Sequence, residues 1–76
     1  MSEEQRVIAL VERALQADPG SLRGTTRFAD LEGWDSMGMV DFLGSLYDES
    51  GVALSIDDLL ACSTIGEVAA RVEAAR

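Results

Sequence analysis

Three apolar runs in this chain are each announced by the same local pattern. A hydroxyl residue is followed three positions later by an amide or carboxylate: Ser2 with Gln5, Ser55 with Asp58, Thr64 with Glu67. Such pairs satisfy backbone N–H groups that the first turn of a helix leaves without partners, so they mark helix starts. Behind Ser2, the residues Val7, Leu10, Val11, Ala14 and Leu15 recur at helical spacing, with Glu12 and Arg13 between them. Behind Thr64, the set is Ile65, Val68, Ala69 and Val72. The piece after Ser55, "IDDLL", has room for a short helical turn. No β-alternation of any length occurs, and the strand-like "GVALSI" leads directly into that turn. These signals predict an all-α fold.

A fourth helix start lies in "LEGWDSMGMVDFL", residues 31–43. The spacing predicts a helix from Asp35 or Ser36 to Gly51. Val40, Leu43, Leu46 and Tyr47 mark one stripe on it, which Met39 and Phe42 broaden. The first helix should stop at "DPG", Asp18 to Gly20. Residues 21–33 then form a loop that is long for so small a domain, held by Leu22, Phe28 and Leu31. At 76 residues the chain is expected to be one domain over 1–76, with a thin core and little space for an enclosed active site.

Composition narrows the function. The net charge is −8, all six cations are Arg, and there is no Lys and no His. Nucleic acid and anionic membranes are therefore poor partners, whereas a basic protein surface is a good one. Cys62 is alone, so neither a disulfide framework nor a metal cluster is expected. No apolar run approaches the ~18 residues of a membrane span, and the acidic start does not read as a signal peptide. A cytoplasmic protein is expected.

Ser36 lacks the base that nucleophilic serine chemistry requires, because His and Lys are missing and Asp35 is a poor base for an alcohol. Either Ser36 caps its helix, or Asp35 caps and leaves the hydroxyl at the first helical position. The second arrangement suits a phosphate-linked group, since a helix N-terminus offers N–H donors and a partial positive charge.

Over essentially its whole length the chain resembles an acyl carrier protein of the phosphopantetheine-binding family. The resemblance rests on "DSM" at 35–37 and on "DSMGMVDFLGSL", which is similar to the family's recognition helix. The loop with Phe28, the short acidic third helix and "STIGEVAARV" fall in the family's order and spacing. It implies a small four-helix bundle with a long loop between helices 1 and 2 and a short third helix. It also implies that Ser36, with Asp35 as its motif partner, accepts 4′-phosphopantetheine from coenzyme A. A separate Mg²⁺-dependent phosphopantetheinyl transferase delivers the group, and the arm's thiol then carries cargo as a thioester. Such a chain is a monomeric, non-catalytic carrier without a metal site. A loading ligase or acyltransferase and downstream enzymes with basic docking surfaces would meet Met37, Val40, Asp41, Asp48, Asp57 and Asp58. Asp41 and Asp48 lie seven residues apart, so they share a helix face with Met37, Val40 and Gly44.

Departures from the family pattern refine this. Gly38 stands where fatty-acid-synthesis carriers have an acid, and Gly44 where they often have a bulky apolar contact. Each costs a helix about 1 kcal/mol against Ala, so close approach of a partner or a neighbouring segment is a candidate reason. "WDSMG" resembles discrete carriers of specialised pathways, including polyketide, nonribosomal peptide and D-alanyl or other aminoacyl carriers. The cargo is accordingly expected to be small or polar, the two glycines removing side chains that could line an acyl pocket. Trp34 is expected to pack on the loop, the alternative being a place beside the arm. Cys62 is expected to be a small core residue. A fatty-acid-synthesis carrier remains an alternative, as does an acidic helical adaptor that is never modified.

Overall fold

Each of the capping patterns does form. The structure, a computed structural model, describes residues 2–75. Met1 and Arg76, which the expected single domain includes, lie outside the described residues. Four helices run in order: α1 (Glu3–Leu15), α2 (Ser36–Ser50), α3 (Ile56–Leu60) and α4 (Ile65–Ala74). Ser2, Ser55 and Thr64 close reciprocal capping boxes at α1, α3 and α4. Among the described residues no strand forms; residues 52–55 of "GVALSI" connect α2 to α3 and place Val52 in the core.

Helix α1 ends at Leu15, ahead of the Asp18–Gly20 stop. Gln16 adopts the left-handed conformation that usually falls to glycine (φ 56°), and the Ala17 N–H closes back on the Glu12 carbonyl at 2.8 Å. Pro19 therefore follows an end already made. Helix α1 packs against both α4 and α2, and α3 leans on α2. Val7, Leu10 and Val11 meet Phe42, Leu46, Val68 and Val72 in one core.

Within the loop, Phe28–Asp30 make a 3-10 turn that periodicity does not announce. Phe28 is buried as expected, while Leu22 and Leu31 are half-buried against the core. The loop also completes α4. The Ile65 N–H donates to Thr26 O (3.2 Å) and the Gly66 N–H to Gly24 O (2.8 Å), while the Phe28 N–H donates to Ser63 O (3.0 Å). Two N-terminal donors of α4 thus find acceptors in the loop.

Glu12 is the largest surprise of the fold. Spacing puts it on the polar face of α1, yet it is 6% exposed. Its Oε2 accepts the N–H groups of Gly20 (2.9 Å) and Leu22 (3.1 Å), so the carboxylate pins the start of the loop to α1. A buried carboxylate is tolerated when hydrogen bonds replace its water, as here.

Candidate functional site at the entrance of α2

Helix α2 is entered through a tight turn. Gly33 has φ +84°, and its carbonyl accepts the Asp35 N–H at 2.9 Å. Asp35 is the N-cap: its Oδ1 accepts the Gly38 N–H (3.0 Å), and its carbonyl accepts the Met39 N–H (2.9 Å). Ser36 is the first helical residue, is exposed, and its hydroxyl makes no hydrogen bond among the described residues. Of the two arrangements open from sequence, Asp35 caps and Ser36 does not.

Gly38 now has a local reason. A Cβ there would lie 2.7 Å from the Gly33 carbonyl oxygen, so the entry turn occupies the space a side chain would need. Gly44 differs, since a Cβ there would meet nothing within 4 Å. Neither glycine opens an inner space for an acyl chain. The small-cargo expectation therefore rests on the "WDSMG" resemblance alone.

Trp34 packs on the loop. Its ring stacks on Phe28 (centroids 4.7 Å apart, 15° between planes) and meets Phe42 edge-on at 5.8 Å. Such aromatic pairs add about 0.5–1.5 kcal/mol each beyond burial. They pack the residue next to Asp35 against both loop and helix at the entrance of α2.

The outward side of α2 corrects one of the sequence stripes. Met39, Phe42 and Leu46 enter the core, whereas Val40 and Tyr47 are each 58% exposed and Met37 is 78% exposed. Both stripes are apolar, and only packing decides which turns inward. The exposed face so formed joins Met37, Val40 and Tyr47 to Asp41, Gly44 and Asp48. Sequence reading placed Val40 there as well as in the apolar stripe; Tyr47 went unnoticed because it too fits the stripe.

Asp41, Asp48 and Asp57 have no ion-pair partner among the described residues. Asp58 is engaged internally. It closes the capping box of α3 and reaches Arg71 of α4 at 3.1 Å. Hydrogen bonds from the Ser55 N–H and hydroxyl, with Arg71 beside them, hold its carboxyl below the usual range. No Lys or Arg occurs between Arg27 and Arg71, a stretch that holds all these acids. The surface around Ser36 is thus built without cations of its own segment.

Cys62 is buried, donates to the Asp58 carbonyl (3.3 Å) and belongs to the core; burial raises its pKa. Among the described residues no cluster of His, Cys, Asp or Glu is placed to hold a metal ion. No helix there is long and apolar enough to cross a membrane. A groove of about 370 Å³ between α1 and the far half of α2, lined by Val7, Leu10, Arg13, Leu46 and Glu49, lies away from Ser36.

The four helices thus present the exposed Ser36 hydroxyl at the N-terminus of α2. The chain belongs to the phosphopantetheine attachment site family, whose model matches residues 5–72. Its cofactor is covalently attached 4′-phosphopantetheine, and its partners include a phosphopantetheinyl transferase and pathway enzymes. Comparison with curated proteins gives no significant match.

Proposed function

We propose that Ser36 is the attachment point and that the chain acts as a cytoplasmic carrier in a polyketide, nonribosomal peptide or related specialised pathway. The observation that carries the site is the division of labour at the entrance of α2. Asp35 takes the capping role, so the Ser36 hydroxyl is exposed and available. The first-turn N–H groups of Ser36 and Met37 have no acceptor among the described residues, so donors are available where a phosphodiester would be anchored. The bound arm supplies a thiol on which cargo is held as a thioester. This chain's residues expose the hydroxyl, cap and pack the helix entrance and present the face that partners meet.

That face is Met37, Val40, Asp41 and Asp48, with Asp57 on the adjoining helix. Its acids draw basic enzymes in by long-range attraction, so modification should slow as salt rises. The "WDSMG" segment favours an aminoacyl or short hydroxyacyl cargo. Reading the chain by its thiols tests the carrier role. Before modification only the buried Cys62 is present, and it should react slowly with a disulfide reagent. After incubation with coenzyme A and a broad-specificity transferase, one fast-reacting thiol should appear. Its failure to appear would favour an acidic adaptor that is never modified.

A further inference from the structure

The turn that leads into α2 is enclosed by residues from distant parts of the chain. Gly33 holds φ +84°, a left-handed conformation that a residue with a Cβ rarely takes. Its carbonyl accepts the Asp35 N–H at 2.9 Å and closes over the first turn of the helix, where a Cβ on Gly38 would lie 2.7 Å from it. Leu15, the last residue of α1, stands behind this turn. Its Cδ2 would lie 3.5 Å from a Cβ on Gly33 and 3.7 Å from one on Gly38. Between the turn and Asp35, Trp34 is stacked on Phe28 and set edge-on against Phe42. The Gly33 carbonyl is therefore backed by α1 on one side and followed by an anchored indole on the other. A methyl on Gly38 would press on backbone, which cannot swing aside as the end of a side chain can. The part left to yield is the first turn of α2, which carries Ser36.

We propose that Gly38 is a positioning residue for the modification of Ser36, acting through the Gly33 carbonyl, with Leu15 as the backstop of the turn. The proposal rests on the reading that Ser36 is the modified residue. In that reaction the Ser36 oxygen bonds to the phosphorus that bears pantetheine, and the pyrophosphate bond of coenzyme A breaks. Adenosine 3′,5′-bisphosphate leaves, and the serine proton passes to a base of the transferase. Such a displacement depends on where the hydroxyl oxygen stands, and a misplacement of about 1 Å can cost a reaction about 100-fold. Ser36 has no hydrogen bond of its own to hold it, so its place is set by the backbone of the first turn alone. Because Gly38 has no side chain, Gly33 and Asp35 can close on that turn from outside it. Gly38 touches neither the transferred group nor the enzyme in this account, and its effect reaches the chemistry through the direction in which Ser36 leaves the helix.

The test is steady-state modification of wild type, Gly38→Ala, Leu15→Ala and Val68→Ala by a broad-specificity transferase, with coenzyme A saturating and the carrier concentration varied. Val68 is buried on α4, outside the entry turn, and its truncation controls for lost stability alone. Circular dichroism at the assay temperature, held well below each unfolding midpoint, shows that the variants are folded. Gly38→Ala should lower kcat about tenfold and leave KM within about twofold of wild type, as expected when the reacting group and not the encounter is disturbed. Leu15→Ala removes the backstop from the other side and should lower kcat about threefold, again with KM unchanged. Val68→Ala should keep both constants within about twofold of wild type. A folded Gly38→Ala chain with the kcat of wild type overturns the proposal, as does one whose defect lies in KM alone. A Val68→Ala chain that loses as much kcat as Gly38→Ala overturns it too, since stability would then explain the loss. If Gly38→Ala does not fold, Leu15→Ala decides, and its retention of the wild-type kcat overturns the proposal. All of these leave the carrier role standing, whereas a wild-type chain that gains no group overturns the carrier reading and the positioning role with it.

Discussion

Asp35 Oδ1 accepts the Gly38 N–H at 3.0 Å, and Ser36 beside it accepts nothing. The two residues therefore contribute to different links of the chain from sequence to function. Asp35→Ala should cost about 1 kcal/mol, the usual loss for an N-cap. Ser36→Ala should stay within about 0.5 kcal/mol of wild type, as for an exposed residue without partners. Urea unfolding of both variants checks this. Equal losses would mean that the serine also caps.

Glu12 holds the loop to α1 through the Gly20 and Leu22 N–H groups. Glu12→Ala leaves both donors without their acceptor and should cost about 2 kcal/mol. Glu12→Gln keeps one acceptor oxygen in the same place and should cost about half as much. Hydrogen exchange should show protection lost first at Gly20 and Leu22. Protection unchanged there would deny the carboxylate its role.

Two glycines of α2 should respond oppositely to alanine. Gly38→Ala places a methyl 2.7 Å from the Gly33 carbonyl and should destabilise by about 1–3 kcal/mol. Gly44→Ala meets open space and should stabilise by about 0.5–1 kcal/mol. Thermal unfolding separates them, since about 1 kcal/mol shifts the midpoint of so small a domain by roughly 4–8 °C.

Asp58 ties α3 to α4 and is held below its ordinary pKa of 3.8 by Ser55 and Arg71. A carboxyl lowered by folding stabilises the fold above its unfolded value, and that stability is lost as pH falls through the folded value. Wild type should therefore be more stable than Asp58→Asn at neutral pH. The difference should shrink as pH drops from about 3.8 downward, and it should vanish once Asp58 is protonated in both states. A difference that does not change across this range would contradict the assignment.

The helix starts were legible because they are local. Ser2, Asp35, Ser55 and Thr64 each act on a backbone group three residues away, which sequence spacing already encodes. Glu12 was not legible, because its partners are fixed by where the loop returns and no periodicity reports that. The inward face of α2 was ambiguous for a related reason. Val40 and Tyr47 compete with Met39 and Phe42 as apolar stripes, and the tie is broken by packing against α1 and the loop. The candidate site could be read almost completely, since Asp35 and Ser36 are neighbours in sequence. What sequence left open there, which of the two caps, was settled by a single hydrogen bond.

The central claim is that Ser36 carries the arm, and intact mass with peptide fragmentation tests it most directly. Wild type and Ser36→Ala should be incubated with coenzyme A and a broad-specificity transferase under identical conditions. Wild type should gain the mass of one phosphopantetheine, mapped to Ser36, and folded Ser36→Ala should gain none. A labelled Ser36→Ala chain, or a wild-type label on Ser45, Ser55 or Ser63, would contradict the account.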